Sequence, residues 1–289
     1  VEWTLRATSA LVAGGVLAWW ISSAWGEVWA VVDGRHGGGV RRLDTSPAER
    51  ARVAWRQVVV IGLAVGALSC ARAAEGPAAV GLARRPWRTQ ATVLAAYLVI
   101  LLVALTIPQD VVASVGRVWP WLGAHFGVTY ACTTAFPLWM VLLHAAYGGV
   151  AEEIIVLALA FRALERLPWR DGRTFAATGW ATAVLVALRL SYHAYYGLYL
   201  LALVPWAYLT VALYRRTRCL LPVVVGHTSF NVLLVLASPL AGGYGLPLTL
   251  LALGALCATP LALTAARPAV RGAPPAATGG GPPRTPSPR

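Results

Sequence analysis

The chain has 289 residues, of which 58% are hydrophobic and only 12% charged, whereas a soluble chain is about one quarter charged, so the bilayer is the solvent to assume. The net charge of +13 comes from arginine alone, since no lysine occurs; the arginines fall between apolar runs, which speaks for membrane topology and against nucleic-acid binding. Cys70, Cys132, Cys219 and Cys257 stand singly in apolar stretches without a Cys-x-x-Cys pair, so neither a thiolate metal site nor a disulfide framework is indicated.

A hydrocarbon core about 30 Å thick takes roughly 20 apolar residues per helix. On that scale the chain reads as an all-α, polytopic helical membrane protein, one transmembrane domain over 1–266, with eight spans near 9–32, 55–73, 90–107, 135–161, 176–196, 198–214, 219–237 and 246–265. The first run could pass for a signal-peptide core but continues to Val32 without a small-residue cleavage pattern, so it counts as a span. Arg72, Arg84, Arg85 and Arg88 follow span two, Arg162, Arg166, Arg170 and Arg173 follow span four, and Arg215, Arg216 and Arg218 follow span six. An even count puts all three clusters on one side, expected to be cytoplasmic, with both termini, of a multi-pass cell-membrane protein. The loop 33–57 disagrees, because it carries six arginines on the other side. Either it is translocated against the rule or one of the first two segments lies in the interface. Residues 267–289 are rich in Pro and Gly and are expected to be a disordered cytoplasmic tail.

Ionisable groups at bilayer depth are functional candidates by default. Span four carries Glu152 and Glu153 side by side, one turn after Gly148 and Gly149. Span five carries Arg189 and His193, and span seven His227 and Asn231; each pair is four residues apart and so shares a helix face. A carboxylate pair, two imidazoles, a carboxamide and a guanidinium suffice to activate a water and stabilise an oxyanion, which is hydrolytic chemistry. A proton-coupled carrier would also keep such groups in a wet cavity. Zinc is the rival mechanism, with two histidines and a glutamate as ligands and His144 in reserve, although no His-Glu-x-x-His helix exists. His36 and His125 are placed in loops. Measured along the helices, Glu152 lies ~15 Å from Arg162 and His227 roughly 12–15 Å from Arg218, whereas His193 comes late in a span running outward. For the three to meet, span five must begin near Trp180, or the Tyr195-Tyr196-Gly197 turn must be recessed.

The three segments resemble the CPBP family of CAAX proteases and bacteriocin-processing enzymes, also called ABI proteins. The family pattern is Glu-Glu-x-x-x-Arg, Phe-x-x-x-His and His-x-x-x-Asn/Asp, each on its own span. Here it reads Glu152-Glu153-Ile-Ile-Val-Leu157, Arg189-Leu-Ser-Tyr-His193 and His227-Thr-Ser-Phe-Asn231. The similarity covers about 130–240, and the wording of the second motif resembles an actinobacterial branch of this bacterial family. The resemblance implies a multi-helix fold and intramembrane proteolysis of a membrane-embedded peptide or protein substrate by a glutamate mechanism, with no obligatory cofactor. It implies that Glu152 activates the water with His193, that His227 and Asn231 form the oxyanion site, and that Glu153 supports them. Leu157 departs from the motif arginine and Arg189 from the phenylalanine. The two departures are expected to compensate, Arg189 supplying Glu153 with positive charge; a failure of that exchange would leave a degenerate binding or immunity protein.

Overall fold

A computed structural model describes residues 1–32, 46–119, 137–168, 174–175, 178–196 and 199–237. The expected span 246–265, the tail, His36, His125, Cys132 and Cys257 lie outside the described residues.

Helix α1 (Glu2–Val32) and α2 (Pro47–Glu75) pack along each other. They run antiparallel, because Arg6 at the start of α1 reaches Glu75 at the end of α2 at 3.6 Å. Helix α2 starts well before the expected residue 55. Ser46 accepts the Glu49 N–H at 3.2 Å, Pro47 opens the first turn and Glu49 sits three residues past the cap, an arrangement that nucleates a helix start. Arg50, Arg52 and Arg56 are therefore helical, and the segment expected to be loop to residue 57 is shorter.

Helix α3 (Trp87–Val99) continues through a π-wound stretch (Ile100–Thr106) into α4 (Ile107–Val118), beyond the expected end at 107. Next comes α5 (Leu138–Ala146), a second π-wound stretch (Tyr147–Ala160) that carries both glutamates, and α6 (Phe161–Glu165). Helices α7 (Gly179–Ser191), α8 (Tyr199–Thr217) and α9 (Leu220–Ala237) follow, with a 3₁₀ turn (Ala194–Tyr196) between α7 and α8.

Among the described residues four helical segments are long and apolar enough to cross a membrane: Glu2–Gly26, Pro47–Glu75, Trp87–Ala104 and Leu138–Glu165. Gly179–Ser191 and Leu220–Leu233 are shorter apolar helices. The outer faces carry exposed Val58, Leu63, Val65, Leu142, Leu201 and Leu209, as lipid contact requires. The chain is a multi-pass helical membrane protein.

Span five departs from the expectation of one helix over 176–196. Its helix begins at Gly179 and ends at Ser191, so at 1.5 Å per residue it is ~20 Å long, shorter than a ~30 Å core. The stop has a local cause. The Arg189 carbonyl, which the next helical N–H would have used, accepts instead from His193 Nδ1 at 2.8 Å, and the His193 N–H turns to the Leu190 carbonyl at 3.0 Å. The first of the two routes considered for bringing His193 inward, a late start of the helix, is thus present; of the turn after it Tyr195 and Tyr196 are half-buried, and Gly197 lies outside the described residues.

At one end of the bundle Glu75 pairs with Arg6, Arg162 and Arg166, and Glu165 with Arg162 and Arg218. The start of α1, the end of α2, α6 and the α8–α9 junction therefore share one end, and Ser46 lies at the other. Close helix contact is set by glycine. A Cβ on Gly149 would come within 2.7 Å of the Thr228 Cα, and one on Gly226 within 2.7 Å of the Tyr97 ring, so α9 lies tight against the π-wound helix and α3.

Candidate active site

The π-wound helix points its two adjacent carboxylates at different partners. Its i→i+5 bonding widens the turn, and Glu152 faces the turn after α7 while Glu153 faces α3, α7 and α9. Glu153 is fully buried. Its Oε1 accepts from the Tyr97 phenol at 2.9 Å and from His227 Nδ1 at 2.6 Å, and pairs with the Arg189 guanidinium. Three elements thus converge on one carboxylate oxygen of a fourth. Arg189, also fully buried, lays its Cζ 4.1 Å from the centre of the Trp206 ring, a cation–π contact in low dielectric.

Glu152 faces the turn after α7. Its Oε2 accepts from the Tyr192 phenol at 3.3 Å and lies 3.9 Å from His193 Nε2. Because His193 Nδ1 faces a carbonyl, which only accepts, Nδ1 carries a proton, and Nε2 is the ring nitrogen turned toward Glu152. Asn231 lies on the same side: a Cβ built on Gly148 would meet Asn231 Nδ2 at 3.0 Å and Glu152 Oε1 at 3.8 Å. The missing side chain of Gly148 is what lets the carboxamide sit beside the carboxylate.

Trp206 ties the halves together, with its ring edge-on to both His193 and His227 at centroid distances of 5.8 Å. Tyr192 stacks at 4.4 Å from His193 and 5.1 Å from Trp20 of α1.

All six residues singled out in the sequence are therefore gathered. Glu152, His193 and Asn231 flank one side, and Glu153, Arg189 and His227 form a buried cluster on the other. Leu157 is fully buried and apolar, and Arg189 reaches Glu153 from the neighbouring helix. Three participants were missed. Tyr192 adjoins His193 and could have been found as part of the motif, but Tyr97 and Trp206 sit in spans without ionisable residues, where an aromatic reads as packing or an interfacial anchor. His144 turns away, its Nδ1 2.8 Å from Gln57 Nε2. Among the described residues no three His, Cys, Asp or Glu side chains are grouped to hold a metal ion, so the donor set does not fit a zinc site.

Fold and site together define a helical membrane protein with a buried carboxylate–imidazole centre built from separate helices. Residues 134–233, about a third of the chain, match the family model described as type II CAAX prenyl endopeptidase Rce1-like. No curated protein and no solved structure matches the chain.

Proposed function

We propose that the chain is an intramembrane endopeptidase that hydrolyses a peptide bond with a water activated by Glu152 and His193. The observation that carries this reading is the 3.9 Å separation of Glu152 Oε2 and His193 Nε2. A water ~2.8 Å from both would subtend about 90° and give one hydrogen to each acceptor, leaving its lone pair free to attack. In the step, the water oxygen bonds to the substrate carbonyl carbon and its proton passes to Glu152. The carbonyl oxygen becomes an oxyanion that accepts from Asn231 Nδ2 and, with both nitrogens of the ring protonated, from His227 Nε2. Glu153 accepts from Nδ1 of the same ring. Glu152 then gives its proton to the departing amine as the C–N bond breaks. Tyr192 holds the Glu152 carboxylate toward the water, and Arg189 balances Glu153. No cofactor enters.

The match over 134–233 to a prenyl endopeptidase family supports the reaction class. The Arg189–Glu153 pair favours an intact enzyme over a degenerate binding protein, because the positive charge absent at Leu157 is present from another helix. We place the chain in the membrane with eight spans and both termini cytoplasmic, the shared basic end being the cytoplasmic one. The substrate is a membrane-embedded peptide entering laterally.

The test is cleavage of a mixed peptide library by detergent-purified protein, in parallel with Glu152→Gln and with a chelator. Cleavage that is lost in the variant and indifferent to chelator supports the reading. A well-folded wild type that cuts nothing, or a Glu152→Gln variant that cuts equally well, overturns it.

A further inference from the structure

Trp206, Thr210 and Tyr214 follow one another in steps of four along α8, so they share one face and are ~6 Å apart along its axis, and Arg218 lies just past the helix end in the junction with α9. Trp206 is 3% exposed, and Thr210 and Tyr214 are fully buried. Their polar atoms have no protein partner: Thr210 Oγ1, Tyr214 Oη and Trp206 Nε1 are buried without a hydrogen bond. Threonine inside a helix usually bonds the carbonyl four residues back; Thr210 does not. At the inner end of the row, Arg189 Nε and Nη1 and Glu153 Oε2 are in the same condition, and these six atoms make up most of the ten such atoms among the described residues. The Trp206 face offers the guanidinium its π-electrons but no acceptor for in-plane N–H groups.

Buried polar atoms are paired with protein or with ordered water almost without exception, and a membrane interior makes an unpaired group costlier still. Two hydrogen bonds through one water span about 5.6 Å, close to the ~6 Å step along the helix. The geometry points to a file of internal water molecules running along this face of α8 from the basic end of the bundle to the Glu153–Arg189 pair. At its basic end the file stops against Gly81, which packs on the Tyr214 phenol: a Cβ there would come within 2.8 Å of Tyr214 Oη. Ala207 and Val211, each next in the chain to Trp206 or Thr210, are fully buried and apolar. Glu153 sits level with Trp206 through Arg189, and the Phe161 ring meets that of Tyr214 at 6.0 Å. Leu157 is therefore level with Thr210. The file deepens the hydrolase reading by supplying the centre with water from the end opposite Ser46, although the file itself does not depend on that reading.

The test is millisecond X-ray radiolysis of the full chain in detergent and H₂¹⁸O, with oxidation read by mass spectrometry and normalised to the unfolded chain. Water beside the side chain generates the label, so Trp206 and Tyr214 are expected to oxidise at least threefold faster than Phe161 and Phe230, which are equally buried. Thr210→Val keeps the shape and removes the hydroxyl; it is expected to cut labelling of Trp206 at least threefold and to leave Tyr214 unchanged. Labelling of Trp206 and Tyr214 no faster than the two phenylalanines overturns the inference, as does a folded Thr210→Val protein labelled like wild type. If Thr210→Val does not fold, the wild-type contrast decides alone. Labelling as expected in a protein that cuts no peptide would leave the file standing and remove the protease reading.

Discussion

Arg189→Met removes the cation from a pair in which both side chains are fully buried, while keeping much of the volume over Trp206. Breaking a buried pair by deleting one partner costs about 3–5 kcal/mol, because the other charge is left uncompensated. Glu153 would still accept from Tyr97 and His227, so the low end, about 3 kcal/mol, is expected. For a domain of roughly this size that lowers Tm by about 6–12 °C. The assay is thermal unfolding in detergent followed by tryptophan fluorescence for wild type, Arg189→Met, Glu153→Gln and the double variant. Removing both charges is far less costly than removing one, so the double variant should recover most of the loss, with a coupling of at least ~2 kcal/mol. Melting of Arg189→Met within about 2 °C of wild type, or simple addition of the two single effects, would refute the pairing argument.

Asn231→Ala should lower kcat by about 10²–10³ and leave KM nearly unchanged, as loss of an oxyanion donor does; a larger effect on KM would assign the carboxamide to substrate binding. Tyr192→Phe deletes the 3.3 Å donor to Glu152 and should cost about ten- to a hundredfold in kcat, with Tm barely moved; equal turnover would show the phenol to be packing alone. Gly149→Ala forces a methyl against the Thr228 backbone and should destabilise by about 1–3 kcal/mol. Gly66→Ala, with nothing within 4 Å, should be neutral or stabilise by up to ~1 kcal/mol, and equal unfolding temperatures for these two variants would contradict the tight contact of α9. Leu157→Arg added to Arg189→Leu should restore at least part of the stability lost in Arg189→Leu, read by the same unfolding curves; no recovery would mean that the two positions are not interchangeable sources of charge.

The polar core was legible because ionisable groups in apolar runs announce themselves: Glu152, Glu153, Arg189, His193, His227 and Asn231 needed only spacing and the cost of charge in lipid to be selected. Their grouping at one site was expected from the motif pattern, but the local geometry that achieves it was not. It depends on α7 ending at Ser191 through a hydrogen bond from an imidazole to a carbonyl, and hydropathy is blind to that choice. The π winding of 147–160 was likewise hidden, since which carbonyl each N–H selects leaves no mark on composition. The start of α2 was available in Ser46-Pro47-x-Glu49, but an apolar-run criterion passes over polar first turns. Tyr97 and Tyr192 show a further limit, because a phenol in a span has the same sequence signature whether it packs or donates.

The convergence of Tyr97, Glu153, Arg189 and His227 on one oxygen also bears on biogenesis. The segment Leu138–Glu165 enters the bilayer with two glutamates and α7 with an arginine, each group costing about 2.5–3.5 kcal/mol on an isolated helix. Glu153 is made before Arg189, and Arg189 before His227, so the carboxylate must wait for its counter-charge until α7 has left the ribosome. A chain of this design favours retention of both helices beside the insertion machinery until they can leave as a pair, with α9 completing the cluster last.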